Sequence, residues 1–215
     1  MDFAWSETQL AFQSQVREFA RNALSSDMVE RDYQGTFSRE NWQKCAEFGI
    51  QGLCMPEAYS DSAHDLMTTV LAMEAMGYGC EDSGLMLALN TQIWTVQMLI
   101  LLFGSEPQKQ HYLPPMCSGE WIGVHALSEP EAGSDVYSLT TTAVPCEGGD
   151  RLTGIKKFVT AAPICDVALV FATTDASLGK WGLEAFLVER TTPGFSVGPS
   201  KNKKGLRTVP FGAIV

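Results

Sequence analysis

Hydrophobic positions follow two rhythms that meet near residue 119. In the first half they return every three or four residues, the spacing of a helix with one buried face. Ser6 and Gln9 form an S-x-x-Q pair that predicts a capping box, followed by Phe12, Val16, Phe19, Ala20 and Ala23. Ser38 is predicted to cap a second helix with Trp42, Cys45 and Ala46 on its apolar face and Gly49 as its stop. A third helix is expected from Leu66 to Met76, closing at Gly77–Gly79, and Asp82 or Ser83 opens a long apolar one ending near Gly104. Ser105 with Gln108 repeats the capping box, and Pro114–Pro115 is expected to end that last helix.

From Trp121 onward, short β-branched and aromatic runs alternate with Gly, Pro, Asp and Asn. Candidate strands are Trp121–Leu127, Leu139–Val144, Ile155–Thr160, Val167–Thr173, Glu184–Val188 and Phe195–Val197, with a hairpin turn at Glu147–Asp150. The expectation is an α+β chain: an N-terminal α-helical domain over 1–119, then a small antiparallel β-barrel-like domain over 120–215. The closing PFGAIV reads as a strand, and stopping at Val215 is expected of a fragment or of a sheet continued by another chain.

Charge narrows the function classes. A formal net charge of −10 over 215 residues argues against nucleic acid, whose phosphates favour basic stripes. It leaves room for a phosphate-bearing cofactor held by backbone N–H groups and a few local cations. Cysteines at 45, 54, 80, 117, 146 and 165 form no C-x-x-C pair, which fits reduced thiols in a cytosolic protein. His64, His111 and His125 lack ligand spacing, so no metal site is expected. The opening MDFAWSETQL has neither a basic nor an apolar leader region. Leu85–Phe103 is the most apolar run but carries Asn90, Thr91, Gln92, Thr95 and Gln97, as a buried core helix does more readily than a bilayer span. A soluble, cytoplasmic protein is expected.

The most informative stretch is ALSEPEAGSD, Ala126–Asp135. Gly133 permits close backbone approach, and Ser128 and Ser134 can donate to an acceptor or a phosphate oxygen. Such a stretch is equally a strand-to-loop corner whose Glu129, Asp135 and serines satisfy local backbone groups.

This segment resembles the flavin-binding loop of the acyl-CoA dehydrogenase family, A-x-T-E-P-x-A-G-S-D, with Ser128 in place of Thr. LTGIKKFVT at Leu152–Thr160 is similar to the family's L-x-G-x-K-x-[WFY]-I-T segment. FLVERTTPGFSV, the Gly205–Arg207 turn and, in the helical half, Phe103–Gly104, Gln110–Leu113 and Ser118–Glu120 follow in family order. The resemblance implies FAD as cofactor, lined by His125, Ala126, Leu127, Ser128, Gly133 and Ser134. Ser128 takes the hydroxyl position near the flavin N5/O4 edge. Ser134 takes the pyrophosphate side, where it also reaches the thioester's pantetheine arm. Phe158 takes the aromatic position beside the isoalloxazine, with Val159 next to it and Thr160 bonding the ring.

The implied reaction is α,β-desaturation of an acyl thioester, on CoA or an acyl-carrier protein. In the family the base is a glutamate of a C-terminal helical domain to which nothing here corresponds. No catalytic residue is therefore assigned, and Glu129, Glu131 and Asp135 occupy structural or variable positions. The implied partners are a chain or domain supplying that helical bundle, an electron-transfer flavoprotein and further copies in an oligomer. Alternatives are a flavin oxidase or monooxygenase on the same fold and a non-catalytic regulatory relative. His125 is read as packing or lining. Lys201, Lys203 and Lys204 are read as a solvated basic turn or a phosphate contact, and Met67–Met76 as core filling.

Overall fold

The computed structural model describes residues 4–24 and 27–215. Two compact units emerge, Met1–Glu120 with Lys203–Val209 and Trp121–Asn202 with Pro210–Val215.

The first unit is helical: α1 Glu7–Ala23, α2 Met28–Gln34, α3 Arg39–Phe48, α4 Leu66–Gly79, α5 Ser83–Gln92, α6 Met98–Phe103 and α7 Glu106–Cys117. Ser6, Ser38, Asp65, Asp82 and Ser105 each accept a hydrogen bond from a first-turn amide, and Ser6 and Ser105 complete capping boxes with Gln9 and Gln108. Each such cap is worth about 1 kcal/mol. A π-helical turn, Ile93–Gln97, joins α5 to α6. This run, Ser83–Phe103, is long and apolar enough to cross a membrane, with half of it buried within the protein. Its Leu89, Ile93 and Val96 are wholly buried, and Gln92 and Gln97 donate to the carbonyls of Met116 and Gln51. Those bonds are what a core helix needs for its polar groups.

Two helical expectations need correction. Helix α7 passes through Pro114 and Pro115 to Cys117. Each proline removes one backbone hydrogen bond, yet the helix continues one turn further, and the Ser118 N–H closes it on the Pro114 carbonyl. Helix α2 was not anticipated; its seven residues are too short to display a period, and it closes on Gly35 at φ 69°.

The second unit holds β1 Gly123–Ala126, β2 Thr142–Cys146, β3 Gly149–Thr153, β4 Lys156–Thr160, β5 Val167–Thr173, β6 Leu183–Glu189 and β7 Phe211–Ile214. One sheet runs β1-β5-β2-β3 with β6 along the other side of β5, and β4 and β7 form a second, two-stranded sheet. The sheets do not close into a barrel, and β1 runs parallel to β5. The long connection between these strands permits the parallel pairing that a hairpin would forbid. The EGGD turn does form a hairpin, pairing Cys146 with Gly149. Leu139–Thr141 stay outside the strand predicted there. Phe195–Val197 contributes a single bridge, Val197 to Ile214.

Candidate functional site

The two segments singled out by sequence meet within the second unit. The Lys157 N–H donates to the Ser128 carbonyl at 2.7 Å, tying β4 to the loop that follows β1. A buried ion pair adds to this: Lys156 Nζ reaches Glu129 Oε1 at 2.7 Å and the Leu127 carbonyl at 3.2 Å. Both side chains of the pair are 2% exposed.

Glu129 is saturated. Besides Lys156, its carboxylate accepts from the backbone N–H and hydroxyl of both Thr140 and Thr141. Burial alone would raise its pKa, but Lys156, Thr141 and the two amides hold it at about 2. With its lone pairs engaged, it is a clamp and not a proton acceptor. Gly154 belongs to the same clamp. A Cβ there would lie 2.3 Å from Thr141 Oγ1, so glycine is the residue that admits the threonine. The L-x-G-x-K pattern thus becomes legible: its glycine and its lysine serve one carboxylate.

The clamp leaves β4 with a bulge. Pairing with β7 shifts register between Lys156 and Val159, giving β4 one residue more than its partner. Phe158 sits in the bulge at φ 57° and is 66% exposed. A left-handed phenylalanine costs about 1–2 kcal/mol, and a bulge re-aims a side chain. The strand that would ordinarily alternate in and out instead presents an aromatic ring to the surface, while Val159 is buried.

The other sequence-singled residues fall around these two. Ala126 is fully buried and offers its surroundings only backbone. Leu127, Ser128 and Thr160 are half-buried, and Gly133 and Ser134 are exposed. A Cβ on Gly133 would meet no atom within 4 Å. The hydroxyls of Ser128, Ser134 and Thr160 make no hydrogen bond among the described residues. His125 packs against Phe171 at 5.1 Å between ring centres, and burial lowers its pKa. Glu131 and Asp135 are exposed, Asp135 accepting from the Tyr137 N–H.

Sequence reasoning missed Lys156, Thr140, Thr141 and Gly154 as positioning residues. The signal was present for two of them, since a lysine opening a strand two residues after a glycine is an unusual core choice. A separate cleft of about 830 Å³ opens in this unit near Val170, Phe186, Val188 and Ile214, and of the residues above only Thr141, Gly154 and Lys156 reach it. No group of three or more potential metal-ligating side chains lies among the described residues.

Known proteins place these features. L-prolyl-[peptidyl-carrier protein] dehydrogenase of Serratia sp. is 37% identical over the whole chain, which covers 56% of that protein. The prolyl acyl carrier protein oxidase AnaB superimposes with a TM-score of 0.94 at 43% identity, over 98% of this chain and 56% of AnaB. PigA, solved with FAD and proline, gives a TM-score of 0.94 at 36% identity, over 100% of this chain and 56% of PigA. The chain therefore spans a little over half the length of the relatives it matches. The acyl-CoA dehydrogenase N-terminal domain matches residues 6–120 and the middle domain residues 125–215, so the chain belongs to the acyl-CoA dehydrogenase family.

Proposed function

We propose that this chain supplies the FAD-holding part of an oxidoreductase that desaturates an acyl thioester. The observation that carries the reading is Phe158, an exposed aromatic held on a left-handed bulge beside Ser128. Strain of that kind persists where surrounding structure enforces it, and it gathers at ligand sites. A flat heterocycle resting on the ring would gain about 1 kcal/mol beyond burial.

The residues present fit a flavin. Thr160 lies two residues beyond Phe158, Ser128 is tied to the residue before it by the Lys157 N–H, and both offer free hydroxyls for the polar edge of an isoalloxazine. Ser134 and the open backbone at Gly133 suit a pyrophosphate. When bound, FAD would supply the acceptor for the hydride leaving the β-carbon. The chain's own share is to bind and orient, with the Glu129–Lys156 clamp keeping the loop and the bulge in register. The base is assigned to no residue here and is expected from a helical domain beyond these matched regions.

The acyl group would arrive as a CoA or carrier-protein thioester. A prolyl group on a carrier protein is the first to test, because the Serratia relative is a dehydrogenase of that substrate. Electrons would pass to an electron-transfer flavoprotein. Direct transfer to oxygen is the second reading, favoured by the name of AnaB as an oxidase.

Chromatography of the flavin released from the purified full-length protein tests the reading. FAD is expected. FMN alone, or no flavin after reconstitution with excess FAD, would refute it. Rapid mixing of the substrate-reduced protein with air then separates oxidase from dehydrogenase by the speed of reoxidation.

A further inference from the structure

Within the β-unit, the strand that carries Phe158 runs into a turn that doubles back over its partner. Ala161 sits at φ 61°, and its N–H donates to the Pro210 carbonyl at 2.8 Å, one step beyond the last paired residues, Thr160 and Phe211. The chain then makes one tight turn, Ala162–Ile164, in which the Ile164 N–H returns to the Ala161 carbonyl at 2.9 Å. Ala162 is wholly buried. Arg190, the residue after β6, pins this turn: its guanidinium donates to the carbonyls of Pro163 at 3.1 Å and Cys165 at 3.2 Å.

The turn rests on β7 at Gly212. A Cβ there would stand 3.2 Å from Pro163 Cδ, 3.3 Å from its Cγ and 3.4 Å from Ala162 Cβ. Contacts that close leave room for a hydrogen and little more. Gly212 is thus the seat of the proline ring, and its neighbours on β7 offer no such seat. Phe211 carries a ring and Ala213 a methyl, and a slip of one residue would bring one or the other beneath Pro163.

Register matters here because of what it leaves over. Val159 pairs with Gly212 and Lys156 with Ile214, so three steps along β4 are matched by two along β7. The surplus falls where Phe158 stands at φ 57° with its ring exposed. Lys156 is held at one end of this interval by Glu129, and the seat holds the other. With both ends fixed, the extra residue has only this place to go. We propose that Gly212 is a positioning residue: by seating Pro163 it sets the register of β7 on β4 and so holds the Phe158 bulge. The functional consequence rests on the flavin reading above; the structural one does not.

The experiment compares Gly212→Val with the double variant Gly212→Val/Pro163→Gly, both in the full-length protein loaded with FAD, and takes Phe158→Ala as reference. Three quantities are read: amide hydrogen exchange at Ala161, the FAD dissociation constant and the visible absorption spectrum of the bound flavin. Gly212→Val is expected to speed exchange, to weaken FAD roughly tenfold and to reproduce the spectral shift of Phe158→Ala although the ring is still present. Removing the proline ring in the double variant is expected to restore all three. Unchanged exchange in Gly212→Val, or no recovery in the double variant, overturns the proposal. Faster exchange with unchanged affinity and spectrum overturns the link from register to flavin. If the unaltered protein binds no FAD, the flavin reading fails, and exchange with its recovery still decides the seat. Should Gly212→Val not fold, Gly212→Ala, which asks Pro163 to give by only a few tenths of an ångström, is read with Gly212→Ala/Pro163→Gly against the same outcomes.

Discussion

Glu129 and Lys156 lie 27 residues apart and form a buried ion pair at 2.7 Å, joining the loop after β1 to the strand that carries Phe158. Taking two charges out of water costs several kcal/mol per ion, so such a pair holds only when every remaining lone pair finds a donor. Thr140 and Thr141 supply those donors. The pair is therefore better understood as a device for fixing geometry than as a source of net stability.

Removing one partner is the sharp test. Glu129→Ala leaves Lys156 buried without a counter-charge and is expected to cost about 3–5 kcal/mol, together with a loss of FAD retention. Glu131→Ala, two residues on and exposed, is expected to stay within about 0.5 kcal/mol of the original. Urea unfolding with flavin fluorescence reads both, and equal effects at the two sites would remove Glu129 from the clamp.

Acid is expected to release the same clamp late. The folded pKa of Glu129 is depressed to about 2, below the ordinary carboxylate value of about 4.3. Its contribution is thus fully present above the unfolded value and is lost as pH falls through the folded one. The gap corresponds to about 3 kcal/mol, reduced by the cost of burying Lys156, whose pKa burial lowers. Stability measured between pH 5 and pH 2 is expected to fall more steeply for the original than for Glu129→Gln. Parallel curves would refute the assignment.

The strain at Phe158 separates folding from binding. Glycine adopts φ 57° without the Cβ penalty, and an exposed ring contributes little to the flavin-free fold. Phe158→Gly is expected to stabilise the flavin-free protein by about 1 kcal/mol and to weaken FAD binding at least as much as Phe158→Ala does. Thermal unfolding without flavin and titration with FAD give the two numbers. A destabilised flavin-free Phe158→Gly would mean the ring supports the fold.

Much of the helical unit was legible because caps and amphipathic faces are local signals. Ser6, Ser38, Asp82 and Ser105 announced helix starts from their own side chains and the residues three along. The strand at Val167–Thr173 and the core of β6, expected as Glu184–Val188, stood out through runs of β-branched and aromatic residues. What the sequence could not display is what distant segments decide. The parallel pairing of β1 with β5 depends on a connection of some forty residues, and the strand expected from Leu139 starts late because Glu129 claims the amides of Thr140 and Thr141. Phe158 gave the same difficulty. Its letter fits a core strand residue, and only the register of β7 on β4 turns it outward. The buried hydrogen bond from Thr208 to Asp82 was invisible for the same reason, since the two are 126 positions apart.

Ser134 offers a narrower test of the flavin geometry. Its exposed hydroxyl has no partner among the described residues, so its removal leaves no buried group unsatisfied. Ser134→Ala is expected to leave unfolding unchanged and to weaken FAD by about 1.5–3 kcal/mol, the worth of a hydrogen bond to a charged group. An unchanged dissociation constant would move the pyrophosphate away from this loop.

The final prediction concerns the proton. Desaturation needs a base poised at the α-carbon, and general base catalysis is worth about 10²–10⁴-fold. Three carboxylates stand in or beside the loop. Glu129 is held near 2 with its lone pairs occupied, so at neutral pH it accepts nothing further. Asp135 already accepts from the Tyr137 N–H in a tight turn, and Glu131 is exposed, with no partner among the described residues to position it. The 215 residues alone are therefore expected to bind FAD weakly and to transfer no hydride from an acyl thioester. The full-length protein is expected to bind FAD tightly and to transfer the hydride. Anaerobic mixing with L-prolyl-carrier protein and with short-chain acyl-CoA thioesters, following loss of flavin absorbance, tests this directly. Rapid bleaching by the 215 residues would place a working base among them, and Glu131→Gln and Asp135→Asn would then identify which carboxylate it is.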